Sequence, residues 1–178
     1  MDRRVRKTQA ALYSALVALI VERGYDAISV QDIIEAADVG RTTFYAHFKS
    51  RDELLMFGFQ QLRGELLALL DDPASKGNWG FIEPLLEHAR RHFGLYRALL
   101  GGNGGRIAER AFQTIVEEMV ARELAGTGHG RIAAAMLAGA LVGAVRGWIE
   151  APAGSVSVAD VASTFRLIAG AQFRHVGP

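Results

Sequence analysis

Hydrophobic positions in the first seventy residues fall into four helical stripes separated by short polar or glycine-containing breaks. Leu12, Ala15, Leu16, Leu19 and Ile20 recur at the spacing of one buried helix face, which predicts an amphipathic helix over about residues 5–23. Gly24 is placed to end it, since glycine enters a left-handed cap without strain. Ser29 then offers a side-chain acceptor to a second, short helix, with Asp32 suited to the helix dipole and Ile33, Ile34 and Ala37 as the buried face. A third runs from about Arg41 to Phe48 or Lys49. Ser50-Arg51-Asp52-Glu53 matches a capping box and opens a fourth, carried to about residue 70 by Leu54, Leu55, Phe59, Leu62, Leu66, Leu69 and Leu70.

Beyond a loop-like stretch at 71–80, further helices are expected at about 80–93, 94–101, 105–124, 129–150 and 157–173. Breaks at 101–105, 126–128 and 152–155 separate them, and no strand-like alternation or internal repeat stands out. The fold class is therefore all-α with about nine helices.

Two short helices joined by about three turn residues have the layout of a helix-turn-helix. At 100° per residue, Phe44 and Phe48 share one side of the third helix and would anchor it. Thr42, Tyr45, Ala46 and Lys49 project the other way, with Thr43 and His47 on the flanks. Hydroxyls, a phenol, an imidazole and a cation without a carboxylate suit a polyanion; Arg41, Thr42 or the small Ala46 could meet base edges. The same face also suits the polar surface of a small three-helix domain, and spacing alone does not separate the two.

Composition narrows this picture. Half of the 178 residues are hydrophobic, which is ample for a core, and the absence of Cys excludes disulfides, Cys-based zinc sites and thiol nucleophiles. Net charge is +1 but uneven: residues 1–51 hold eight basic and six acidic side chains, residues 52–178 twelve and thirteen. The basic excess sits in Arg3, Arg4, Arg6 and Lys7, and again in Arg41, Lys49 and Arg51. The N-terminal run lacks the apolar core of a signal peptide, and the longest apolar stretch, Ile132 to Val145, falls short of the roughly 20 residues of a membrane span. A soluble, cytoplasmic protein is expected. No His-Glu-x-x-His motif or Gly-x-Ser-x-Gly elbow is present, so no enzyme is expected. The glycines of 101–105 lack the Gly-Lys-Ser/Thr ending of a phosphate loop and read as a flexible joint.

Residues 29–54, SVQDIIEAADVGRTTFYAHFKSRDEL, closely resemble the signature of the TetR/AcrR regulators, as do the preceding helix and the link from Gly24 to Ser29. The likeness covers roughly residues 5–58. It implies a DNA-binding domain over residues 1–50 and a ligand-binding and dimerisation domain over 51–178. Thr43, Tyr45, His47 and Lys49, with Ser29 and Gln31, would clamp the DNA backbone; Arg41 and Thr42 stand where family members often touch bases. Arg4 and Lys7 belong to a basic arm of the kind some members lay along DNA, although the same residues suit a solvated tail. Gly40-Arg41-Thr42 departs from the Ser or Pro that many members carry there, so no operator can be borrowed from a relative.

The resemblance further implies a homodimeric, ligand-responsive repressor on a palindromic operator, with no cofactor and an unidentified small-molecule effector. Phe81, Leu85, His88, His92, Tyr96, Phe112, Ile115, Met119 and Trp148 are the candidate pocket residues. His88 and His92 lie one helical turn apart, but the nearest acids in sequence are Glu83 and Glu87, and no metal site is expected. The sequence adds its own support for helix pairing: Ala135, Gly139, Gly143 and Gly147 recur every four residues. Each helical glycine costs up to about 1 kcal/mol against alanine, which calls for a closely packed neighbour. Phe165 and Ile168 on the last helix complete the candidate dimer interface, and a partner within the chain would satisfy the same pattern.

Overall fold

The computed structural model describes residues 3–71, 73, 77, 79–101, 105–126, 130–152 and 154–173. Among them are nine α-helices and no strand: α1 Arg3–Arg23, α2 Val30–Ala36, α3 Arg41–His47, α4 Arg51–Asp71, α5 Ile82–Arg91, α6 Phe93–Leu100, α7 Gly105–Glu123, α8 Arg131–Glu150 and α9 Val158–Phe173. A turn of 3-10 helix, Tyr25–Ala27, links α1 to α2. The breaks expected at 102–104 and 127–128 lie outside the described residues, as does part of the loop at 71–80.

The chain divides into two compact units, residues 1–62 with 94–111 and residues 63–93 with 112–178. The expected change of domain at 50/51 coincides with the break before α4. The first stretch of the first unit runs on to Leu62, within the 21-residue α4.

In the first unit the α1 stripe is buried as its spacing predicts: Leu12, Ala15, Leu16, Leu19 and Ile20 all face inwards. The α1 terminus differs in detail from a left-handed cap. Gly24 has φ 79° and ψ 155°, a combination essentially restricted to glycine, and it turns the chain out of α1 into the 3-10 turn. α2 opens on a complete capping box: Ser29 Oγ accepts from the Asp32 N–H at 3.2 Å, and the Asp32 carboxylate accepts from the Ser29 N–H at 2.7 Å. At the start of α4 the box is only half made. Ser50 Oγ accepts from the Glu53 N–H at 3.1 Å, but the Glu53 carboxylate takes the Lys49 N–H at 2.6 Å.

The second unit packs α5 against α9 and α8 against α9. Its interior includes Phe81, Leu85, Phe112, Ile115, Met119, Leu141, Val145 and Phe165. Trp79 is pinned there despite a positive φ of 59°. Its main-chain N–H donates to Glu123 at 2.9 Å, its carbonyl accepts from Arg166, and its ring lies 5.7 Å from that of Phe165. Arg166 also forms a two-pronged ion pair with Glu83, and Arg63 does the same with Glu118 at 2.7 Å for each bond. Bidentate geometry is the form in which such pairs give orientation as well as attraction.

α8 as a whole is long and apolar enough by length and composition to cross a membrane, because the helix extends past the 14-residue apolar run to 20 residues. The core helix of a packed protein can have the same length and composition.

Gly24→Ala is expected to lower stability by about 1–3 kcal/mol, since alanine is strained in this backbone conformation. Thermal or urea unfolding of the two proteins checks it; equal stability would mean that the α1 exit relaxes into another geometry.

Candidate nucleic-acid interface

α3 is seven residues long, too short to persist alone in water. Its two phenylalanines hold it. Phe44 is fully buried and Phe48, its C-cap residue, nearly so. Their rings lie 6.2 Å apart, and Phe48 meets the edge of Phe57 from α4 at 5.4 Å. The turn between α2 and α3 passes through Ala37 in the right-handed helical region and Asp38 at φ 51°. Asp is one of the few non-glycine residues that enter this region readily. Asp38 thus makes the turn that the spacing alone only implied.

With Phe44 and Phe48 inward, Arg41, Thr42, Thr43, Tyr45, Ala46 and Lys49 are exposed and His47 is half-buried. Tyr45, at 46% exposure, is unusually open for an aromatic side chain. The Arg41 guanidinium sits 5.5 Å from the centre of its ring, a cation–π contact that orders both groups on the outer face. No carboxylate occurs within α3. Arg4 and Lys7 are exposed on the first turns of α1, which begins at Arg3; the basic segment is helical there rather than an extended arm.

Ser29 and Gln31, at the start of α2, are also exposed, but both carry internal partners. The Ser29 hydroxyl donates to the Asp32 carboxylate at 2.6 Å, and the Gln31 amide donates to Glu35 at 2.8 Å. Asp32 is further paired with Arg23 at 2.9 Å. The hydrogen bonds from Ser29, with Arg23 adding to them, bring the Asp32 carboxyl down from 3.8 to about 2. Sequence reasoning missed this commitment because Arg23 is nine positions from Asp32 and on another helix.

The candidate pocket residues are placed differently. Phe81, Leu85, Phe112, Ile115 and Met119 are core side chains of the second unit, while Tyr96 is buried in the first. His88 is buried and His92 exposed, with ring centres 4.7 Å apart. The acid that faces His88 is neither Glu83 nor Glu87, which pair with Arg166 and Arg90; it is Glu65 of α4, at 3.3 Å. Burial lowers the His88 pKa despite that carboxylate, favouring the neutral ring. No group of three or more metal-ligating side chains that could hold an ion occurs among the described residues.

Trp148 lies apart from the other pocket candidates. It donates its indole N–H to the Val156 carbonyl at 3.1 Å and lines an open groove of about 330 Å³ with Ala140, Ala144, Val161 and Ile168.

Of the candidate dimer residues, Phe165 is buried against Trp79, while Gly139, Gly143, Gly147 and Ile168 are exposed and Ala135 is half-buried. A Cβ added at any of these three glycines would meet open space, so among the described residues no helix of the same chain packs on that stripe. Ile132, Met136 and Leu167 are exposed at 77%, 70% and 66%.

Residues 12–56 match the profile of the bacterial regulatory proteins of the tetR family. The Transposon Tn10 TetC protein of Escherichia coli is 31% identical over 84 residues, 47% of this chain and 43% of TetC. The matched stretch thus spans less than half of that relative. Among solved structures, a TetR transcriptional regulator from Streptococcus agalactiae superposes with a TM-score of 0.76 at 23% identity, covering 94% of this chain and 96% of that one. RolR in complex with resorcinol gives 0.64 at 23% identity, covering 98% and 90%. The fold is that of solved TetR regulators over nearly the full length of the chain.

Asp32→Asn should lower the melting temperature at neutral pH and bring the two proteins together in acid. Because the folded carboxyl has the lower pKa, its contribution is present above the ordinary value of 3.8 and drains away as pH falls through about 2. Melting curves collected down that range check it. A constant gap at every pH would exclude the carboxylate as its source.

Proposed function

We propose that this chain is a TetR-family transcriptional regulator that binds DNA rather than an enzyme, and that it works as a homodimeric repressor released from a palindromic operator by a small molecule. The observation that carries the DNA-facing part is the division of α3: Phe44 and Phe48 are buried, and Arg41, Thr42, Tyr45, Ala46 and Lys49 stand on the outside without a carboxylate. In this reading Thr43, Tyr45, His47 and Lys49 hold phosphates. Arg41 and Thr42 read base edges, and Ala46 leaves room for a thymine methyl. Ser29 and Gln31 contact the backbone only by exchanging their internal hydrogen bonds for phosphate. Arg4 and Lys7 add charge nearby. The cytoplasm is the compartment in which such a protein meets its operator.

The homodimer is supported by the bare face of α8 and α9. Gly139, Gly143 and Gly147, flanked by Ile132 and Met136, form an apolar stripe on which no helix packs among the described residues, and Leu167 and Ile168 add to it from α9. Isolated exposed apolar side chains need no explanation, but a contiguous patch at glycines that lower helix stability does. Pairing about a two-fold axis lets each stripe cover its counterpart, and two-fold symmetry in the protein calls for two-fold symmetry in the operator. Phe165 supports the pair from within its own protomer.

Ligand response has two supports. RolR is a relative in fold that holds resorcinol. In this chain the candidate pocket residues of the second unit, Phe81, Leu85, His88, Phe112, Ile115 and Met119, supply an apolar interior with one buried imidazole. An effector would act only by its difference in affinity between the operator-binding and released forms.

Binding to DNA fragments selected from a random pool tests the whole reading. Tyr45→Ala and Lys49→Ala should weaken binding to every sequence, whereas Arg41→Ala should change which bases are preferred, by about 1–3 kcal/mol at the affected position. Unchanged affinity in all three would remove α3 as the recognition element. Met136→Glu should give monomers in sedimentation and lose most affinity for a palindromic site. A reporter behind the selected operator should rise when the gene is deleted; a fall would make the protein an activator.

A further inference from the structure

Arg51 stands among the basic residues beside α3, yet its guanidinium is turned onto the backbone of its own unit. Nη1 donates to the carbonyls of Tyr25 at 3.1 Å and Asp26 at 3.3 Å, and also to that of Ile28. The guanidinium carbon lies 4.6 Å from the centre of the Tyr25 ring. The Tyr25 hydroxyl in turn donates to Asp52, whose carboxylate is 3.7 Å from Arg51 Nε. Burial and this acid raise the phenol's pKa, keeping it a hydrogen-bond donor. Ile28 is buried, so its carbonyl would be costly to leave without a donor, whereas the Tyr25 carbonyl also accepts from the Ile28 N–H at 3.2 Å.

These carbonyls belong to the link that leads into Ser29, the N-cap of α2. We infer that Arg51 is a positioning residue: it fixes the start of α2 against the first turn of α4, setting where Ser29 and Gln31 stand relative to Lys49, and makes no phosphate contact itself. The inference rests on the reading above that this face binds DNA. A planar guanidinium can stack on a ring while donating to several acceptors, whereas a lysine ammonium keeps the charge but cannot stack in that way. Charge and shape can therefore be separated by substitution.

The test compares Arg51→Ala, Arg51→Lys and Lys49→Ala with the wild type in two measurements. Amide hydrogen exchange in the free protein reads the anchor. Both Arg51 variants should speed exchange at Ile28, Ser29, Asp32 and Ile33, while Lys49→Ala leaves them unchanged. Affinity for a selected DNA fragment as a function of salt reads the role at the interface. Both Arg51 variants should bind about tenfold more weakly, on the scale of hydrogen bonds to a charged group, with the wild-type salt slope. Lys49→Ala should lose about one unit of that slope, as expected when a phosphate contact is removed.

Wild-type exchange in Arg51→Ala, full binding by Arg51→Lys, or a slope about one unit lower in Arg51→Ala would each overturn the inference. If Arg51→Ala does not fold, Tyr25→Phe keeps the ring and removes only the link to Asp52. It should show the same exchange pattern at lower amplitude, and unchanged exchange there counts against the anchor. A wild-type protein that binds no DNA would overturn the functional reading alone, while the exchange measurement would still decide the anchor.

Discussion

A seven-residue helix forms too few internal hydrogen bonds to offset the entropy of ordering it, so α3 exists only because other elements hold it. Burial of Phe44 and Phe48 supplies that hold. Each aromatic side chain removes a large apolar area from water, at about 25 cal/mol per Å². Because the two rings lie on one side of the helix, the same burial that stabilises α3 also aims it. Everything proposed for the outer face follows from this one constraint, since Tyr45 and Arg41 are presented only as long as Phe44 and Phe48 stay in.

A second layer of constraint acts on α2, also seven residues long. Here hydrogen bonds replace aromatic burial. Asp32 is bound to Ser29 and Arg23, and the link ahead of Ser29 is engaged by Arg51. Polar groups at this edge thus have internal tasks. An exposed hydroxyl or amide that already has a partner must give it up to bind phosphate, which lowers the net gain from the new contact. At Lys49 the Glu53 carboxylate takes the main-chain N–H.

The second unit follows a different logic. Its interior is filled from α5, α7, α8 and α9, with Trp79 held by Glu123 and Arg166 at the entry to α5. Its outer face on α8 is nearly bare of large side chains at Gly139, Gly143 and Gly147. A helix that gives up side chains along one face loses intrinsic stability and gains a surface another backbone can approach closely. The groove beside Trp148 lies along this same pair of helices.

Much of this was legible in the chain itself. Helix spans, the α1 stripe, the Ser29 cap and the two-sided character of α3 all follow from local periodicity, and the segment 29–54 carried the family likeness. Local spacing is informative there because a helix places side chains by sequence separation alone. What lay beyond it were partners from other elements. Arg23 reaches Asp32, Glu65 rather than Glu83 or Glu87 faces His88, and Arg51 leaves the basic cluster for the carbonyls of Tyr25, Asp26 and Ile28. The glycine stripe shows the same division. Its period was visible in the sequence, but only packing decided that α9 covers a different face of α8 and leaves the stripe open. Such pairings depend on how helices cross, and crossing is set by the whole packed unit rather than by any one segment. The sequence alone therefore determined the helices and the character of their faces, while the tertiary structure decided which charges are spent inside the protein and which remain on its surface.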